Sequence, residues 1–288
     1  MKYTLFSIII PTYNRANEIS RCLSSVVNQT YRHWEAIVVD NFSDDNTEEI
    51  VNNFKDERIR YYKNHNYGII SVSRNYALDR ANGDWICFLD SDDSWKPNKL
   101  ECLLPYIDKF DLIYHGYIEK GTNYSLINRK KILFYTVKQS CVSYVMQRSD
   151  PFSPSCTAVS KEFMKNTRFS EDKRLFAIED YDFFLQLLQR HPRIKHLKKY
   201  LTYYDVSTGI SHNEMVQLDR NRVIIEKFKD CLSRNEYRNV LKLYMYTRGL
   251  TYIDKDKKKA RKFFAAGIAS DVFFVKWRSF AGYCLSFF

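Results

Sequence analysis

The chain has 288 residues, 45% of them hydrophobic, with only 8 glycines and 6 prolines. That suits one large globular domain or one and a half, and excludes disordered, collagen-like and repeat architectures. Seven scattered cysteines form no C-x-x-C pair, the pattern of free thiols in a reducing cytoplasm and not of a disulfide framework or zinc site. The net charge of +11 is lopsided, since residues 216–288 carry 16 Lys and Arg against 7 Asp and Glu. This shift divides a nearly neutral body (1–215) from a basic extension (216–288). No apolar run reaches the roughly 18 residues of a membrane span, and Leu5–Ile10 is too short for a secretory leader.

Phe6–Ile10 is predicted to be a strand that Pro11 closes, because proline cannot donate to a central ladder. The polar turn Thr12-Tyr13-Asn14-Arg15 follows. Ile19, Cys22, Leu23, Val26 and Val27 then recur at helical spacing, predicting a helix over 16–28. A second strand (34–39) ends in Asp40-Asn41-Phe42-Ser43-Asp44-Asp45. A helix (47–54), a third strand (59–62) and a helix (71–81) carrying Arg74 come next, and Asn82-Gly83 breaks the last of these. Such alternation on short links means a parallel sheet of βαβ units, whose ligands bind beyond the carboxyl ends of the strands.

The stretch from Asp84 to Trp95 is the most informative. Ile86–Leu89 reads as a buried strand, and Asp90, Asp92 and Asp93 then place three carboxylates in four residues. In extended backbone Asp90 and Asp92 face the same way. Two adjacent anions are tolerable if a cation sits between them or if they stay wet. A hard divalent ion and an acidic surface turn are the two readings open at this point. Downstream, the spacing predicts a helix over 96–110 and a strand over 111–117. Residues 120–150 have no firm period, Cys156–Met164 leads to a helix opening with Glu179-Asp180-Tyr181-Asp182, and Thr202–Asn213 returns the chain beneath the strand ends.

The ordered set Pro11-Thr12-Tyr13-Asn14-Arg15, Val38-Val39-Asp40, Arg74-Asn75, Phe88-Leu89-Asp90-Ser91-Asp92-Asp93 and Ile178-Glu179-Asp180-Tyr181-Asp182 resembles the family 2 glycosyltransferases. The resemblance implies the GT-A fold: an α/β, Rossmann-like, mostly parallel central sheet flanked by helices, here with a C-terminal helical basic and aromatic extension. It places Pro11, Thr12, Tyr13, Arg15, Asp40, Arg74, Asp90 and Ser91 around a nucleotide, with Asp40 on a uracil imide N–H and Tyr13 against the ring. It makes Asp92, with Asp90, the ligand of Mn2+ or Mg2+, and Asp180 the general base. The first helical turn around Asp180 favours its ionised form. His212 stands where the family often has a basic metal or diphosphate contact, although the surrounding Tyr203–Ser211 segment lacks the usual basic positions. Asn41 and Phe42 also depart from the family's Asp-Asp-Gly-Ser.

The implied activity is inverting, metal-dependent transfer from a nucleotide sugar, a UDP-sugar, to a hydroxyl of a lipid-linked glycan. The pathway is bacterial surface-polysaccharide synthesis, and the location is cytoplasmic, peripheral on the inner face of the membrane. Two alternatives stand beside it. A nucleotidyltransferase of similar fold would be expected to carry a glycine-rich loop after the first strand, and Pro11–Arg15 has no glycine. A non-catalytic membrane or polyanion adaptor is the other. Lys255–Lys262 is strongly basic. Phe273, Trp277, Phe280, Ala281, Cys284, Phe287 and Phe288 form one apolar stripe with Lys276 and Arg278 off it. Such a stripe suits a membrane surface or packing on the body. No nucleic-acid module accompanies the charge.

Overall fold

A computed structural model describes residues 3–120, 130–139, 141–148, 150–207, 214–270 and 273–287. His212 lies outside the described residues. The chain forms two units. One comprises Met1–Ser140, Pro151–Lys173 and Glu179–Gly209, and the other Cys141–Asp150, Arg174–Ile178 and Ile210–Phe288.

The first unit runs β1 (Phe6–Thr12), α1 (Ala16–Val27), β2 (Trp34–Asp40), α2 (Thr47–Asn52), β3 (Ile59–Lys63), α3 (Ile70–Leu78), β4 (Trp85–Phe88) and β5 (Ser94–Trp95). It continues with α4 (Lys99–Leu103), β6 (Leu112–Lys120), β7 (Lys131–Ile132), β8 (Thr157–Ser160), α6 (Lys161–Met164), α7 (Glu179–Leu188) and β9 (Ile194–Asp205). These strands form one sheet in the order β3-β2-β1-β4-β8-β6-β9-β5, with β7 paired to β6. Strands β3, β2, β1 and β4 run parallel, as the alternation predicts. Past β4 the sheet becomes mixed, because β8 is antiparallel to both β4 and β6.

Both faces of the parallel part are covered, which is why its strands read as unbroken apolar runs. On one face Phe6, Ile8 and Ile10 of β1 pack with Ile19, Cys22, Leu23 and Val26 of α1. On the other, Phe88 meets Phe169 and Phe183 edge-on at 5.3 and 5.7 Å, while those two rings stack at 4.0 Å. The Asn82-Gly83 break has a steric cause. A Cβ at Gly83 would come within 2.5 Å of the Ser7 backbone nitrogen, and the Gly83 N–H donates to Ser7 Oγ.

Three expectations change. Pro11 does not close β1, which continues through it to Thr12 along β2. Odd residues of β1 bond toward β4, as the Leu89 N–H to Ile9 C=O bond shows, and that pairing stops at Ile9–Phe88. The N–H that proline lacks therefore faces a side where the ladder has already ended. The helix expected over 96–110 shortens to α4, followed by a 3-10 turn at Leu104–Tyr106 that Pro105 enters. The start of the return segment, residues 202–205, belongs to the long strand β9, obscured in the sequence by Lys195, Lys198 and Lys199, while residues 208–213 lie outside the described residues.

The second unit holds α5 (Val142–Met146), α8 (Glu214–Lys227), α9 (Arg234–Tyr252), α10 (Lys257–Ile268) and α11 (Phe273–Leu285). A reciprocal capping box starts α9, with Ser233 and Glu236 each bonding the other's backbone N–H. Buried Phe264 of α10 is wedged against Gly249 of α9 and Gly282 of α11, where an added Cβ would lie 2.6 Å from its ring. The notches let three helices close around one aromatic side chain.

Candidate active site

The end of β4 releases the chain into Asp90-Ser91-Asp92-Asp93. Three carboxylates in one loop should repel, and the structure relieves each in its own way. Asp90 Oδ1 accepts from Arg74 Nη2 at 2.9 Å. Asp92 Oδ2 lies 3.4 Å from Arg15 Nη2. Asp93 is buried, and burial followed by the charges of Asp90 and Asp92 raises its pKa well above the carboxylate range, which favours the neutral acid. Two guanidiniums and a proton answer the charge problem that the sequence posed.

Arg74 does more than neutralise. From α3 it enters almost completely buried surroundings, where its second nitrogen, Nη1, donates to Glu179 Oε1 at 2.6 Å. Burial alone would lower its pKa, but Asp90, Glu179 and Asp180 together raise it. Arg74 thus clamps the β4 loop to the first turn of α7, a bidentate task that lysine cannot perform. Asp180 follows Glu179 and takes its neighbour's N–H (Tyr181, 2.8 Å) on Oδ1. Its pKa is raised to about 7 by burial first, then by Glu179, against the lowering pull of Arg74. The helix start was expected to favour the ionised form. Burial outweighs it.

Tyr204, near the end of β9, reports on the whole cluster. Burial raises its hydroxyl's pKa first, and the charges of Asp93, Asp90, Asp92 and Asp180 add to the rise. All four acidic side chains therefore lie within electrostatic reach of the Tyr204 hydroxyl.

Three supporting residues were not singled out from the sequence. The carbonyl of Ser155 accepts from Trp95 Nε1 (2.9 Å), Lys99 Nζ (3.0 Å) and Thr202 Oγ1 (2.8 Å), while its hydroxyl accepts the Asp90 N–H at 3.1 Å. Arg21 of α1 donates to the Asp92 carbonyl at 2.6 Å and to Asp205 Oδ2 at 2.9 Å, joining the acidic loop to the end of β9. Only the spacing of Arg21 one residue from the apolar face of α1 could have drawn attention to it. Buried Lys99 lies over the Trp95 ring at 3.3 Å, and desolvation lowers its pKa to about 8.

Asp40 is placed differently. Its carboxylate is fully buried at the end of β2, with Oδ1 accepting from Ser43 N–H (3.1 Å) and Oγ (2.6 Å) and Oδ2 from the Tyr61 hydroxyl. It caps the turn after β2. That turn is laced to the turn after β1, since the Asn14 N–H donates to Ser43 Oγ and the Asp44 N–H to Asn14 Oδ1. Pro11, Thr12 and Ser91 are buried in these strand ends, whereas Tyr13 is half exposed. Phe42 has φ 56°, a left-handed backbone that suits the glycine of the family pattern, and it stacks on His65 at 3.8 Å. Exposed Tyr67 extends this aromatic shelf.

No group of three His, Cys, Asp or Glu gathers in metal-binding geometry among the described residues. The β4 loop does offer Asp90 and Asp92, with partly exposed carboxylates. Two hard oxygen donors suit Mg2+ or Mn2+, ions that complete their shell with water and substrate phosphates.

Known proteins resemble this chain in sequence and in fold. WfgD of Escherichia coli, a UDP-Glc:alpha-D-GlcNAc-diphosphoundecaprenol beta-1,3-glucosyltransferase, is 38% identical over 160 residues, covering 52% of this chain and 63% of that protein. The structure of S. aureus TarS in complex with UDP-GlcNAc superposes with a TM-score of 0.66 at 20% identity, covering 96% of this chain and 89% of that one. The mannosyltransferase PcManGT of Pyrobaculum calidifontis, in complex with GDP-Man and Mn2+, gives a TM-score of 0.56 at 14% identity, over 98% and 80% of the two chains. Both neighbours share the GT-A fold seen here. Residues 7–167, more than half of the chain, match the model of glycosyl transferase family 2, and the chain belongs to that family.

Proposed function

We propose that the protein is an inverting, metal-dependent glycosyltransferase that moves a sugar from a UDP-sugar to a hydroxyl of a lipid-linked glycan. Its setting is bacterial surface-polysaccharide synthesis at the inner face of the cell membrane. The observation that carries this reading is the Arg74 clamp, which holds the Asp90–Asp92 loop and the Asp180 helix in one cluster. The lipid-linked acceptor follows the name of WfgD, the UDP-sugar donor that of WfgD and the TarS complex, and the metal that of the PcManGT complex.

In this reading Asp92, with Asp90, holds Mn2+ or Mg2+, which when bound supplies Lewis-acid neutralisation of the departing diphosphate. Arg15 adds fixed positive charge beside Asp92. Tyr13 and the Phe42 shelf offer the base a stacking surface. A uracil contact from Asp40 exchanges with the Tyr61 hydroxyl. Asp180 takes the proton of the acceptor hydroxyl as that oxygen bonds to the anomeric carbon and the bond from that carbon to the diphosphate breaks. One displacement on the face opposite the nucleotide inverts the configuration.

Calorimetric titration of UDP with and without Mn2+ tests the donor half. Binding is expected to require the metal in the wild type and to be lost in Asp92→Asn. Equal affinity with and without metal would overturn the metal-dependent reading.

A further inference from the structure

The helix α11 is built inside out. Its inward positions are Val275, Ser279, Gly282 and Ser286, all buried, at the three- and four-residue spacing of one face. Small residues there let α11 approach its neighbours closely. An added Cβ on Gly267 of α10 would lie 2.2 Å from Ser279 Oγ. The large side chains point the other way: Trp277 is 56% exposed, Phe280 50%, Leu285 62% and Phe287 57%. Trp277, Phe280, Leu285 and Phe287 therefore make an outward apolar face of the helix.

This face has a charged border. The Arg261 guanidinium of α10 lies 4.6 Å from the Phe287 ring, which puts the basic start of α10 beside the aromatic end of α11. Lys255, Lys257, Lys258, Lys259 and Lys262 are exposed along that stretch, and Lys276 and Arg278 are exposed on α11 itself. Asp256, the one anion among residues 255–262, caps α10 through the Lys259 N–H. Large aromatics facing outward over a helix–helix seam of small residues, bordered by cations, match an anionic lipid surface: rings enter the headgroup boundary while cations meet lipid phosphates. No described helix is long and apolar enough to cross a bilayer.

We infer that the outer face of α11 and the lysines of α10 form a docking surface for an anionic membrane, with Trp277, Phe280 and Phe287 seated at the headgroup level. The inference gives the proposed lipid-linked acceptor a physical setting, but its test reads lipid binding alone, so it can fail while the transferase reading stands, and the reverse.

Tryptophan fluorescence isolates the surface. Of the 4 tryptophans, Trp34, Trp85 and Trp95 are buried and Trp277 is exposed. The full chain is mixed with vesicles of phosphatidylglycerol and phosphatidylethanolamine, or of phosphatidylcholine alone, some carrying brominated acyl chains. Flotation with the anionic vesicles, a blue shift and bromine quenching of Trp277 are expected, all weakened by salt. Reversing Lys257, Lys258 and Lys259 to Glu should lower partitioning at least about tenfold, since each cation near an anionic leaflet counts severalfold. Trp277→Ser with Phe280→Ser should abolish quenching and reduce flotation, with the thermal midpoint kept because both side chains are exposed. Absence of flotation at low salt would overturn the inference. So would a Trp277 blue shift that follows protein concentration without lipid, which would mark a surface for a second copy.

Discussion

Replacing Asp180 by Asn is expected to lower glycosyl transfer by about 10²- to 10⁴-fold, the usual contribution of one positioned general base. Affinity for UDP with Mn2+ should stay unchanged. Asparagine keeps the shape and can still accept the Tyr181 N–H that Asp180 Oδ1 now holds, but it cannot take a proton. The pH profile gives a second readout. Burial and Glu179 raise the Asp180 pKa to about 7. The base works when deprotonated, so kcat/KM should fall tenfold per pH unit below its apparent pKa. A bound cation lowers that value, leaving the acid limb between the ordinary carboxylate range near 4 and 7. Turnover with a nucleotide-sugar panel, measured as transfer or slow donor hydrolysis, checks both. Unchanged turnover in Asp180→Asn would remove that residue from its role.

The second large effect is expected at Arg74, and it falls on stability as well as on rate. Arg74→Met strips two carboxylates of their partner at once. Glu179 is almost fully buried, and leaving a buried charge unpaired costs about 3–5 kcal/mol. Asp90 keeps a wet edge and adds less. The thermal midpoint should therefore drop by roughly 6–20 °C, at about 2–4 °C per kcal/mol for a protein of this size. The acid limb of the pH profile should also rise, because Arg74 is the cation that pulls the Asp180 pKa down. Arg74→Lys restores charge but not the fork that spans Asp90 and Glu179 at 2.9 and 2.6 Å, so it should recover the midpoint in part and transfer hardly at all. A midpoint and pH profile equal to wild type in Arg74→Met would mean the clamp does not form.

The parts of the molecule that were legible are those where one physical pattern acts alone. Apolar periodicity gave α1 and α7, with Phe183, Phe184, Leu187 and Leu188 fully buried as their spacing implies. Continuous apolar runs gave β1, β2 and β4, since a sheet covered on both faces leaves no alternation to mislead. Asp90, Asp92 and Asp180 stood out because acids at a strand end and a helix start are conspicuous. Arg74, which the resemblance places around a nucleotide, grips Asp90 and Glu179, residues 16 and 105 positions away. Separations of that length leave no local trace.

Ser155 and Arg21 were illegible for the same reason. Their roles come from a carbonyl and a guanidinium reaching across the fold, and neither position is unusual among its neighbours. Strand β8 was read as a lead-in to α7 because four residues, three of them buried, carry too little period to separate a strand from a loop. On α11 the pattern was visible but its direction was not. An apolar stripe shows which residues share a face, whereas whether that face looks in or out is decided by the size of the residues opposite it. Here Gly282, Ser279 and Ser286 made the opposite face the better packing surface.

The most direct measurement is a crystal structure of the chain with a UDP-sugar and Mn2+. The account predicts the diphosphate at the Asp90–Asp92 loop and the Asp180 carboxylate on the side of the anomeric carbon opposite the nucleotide, with Arg74 still joining the two. A nucleotide seated away from that loop, or Asp180 turned from the sugar, would contradict it.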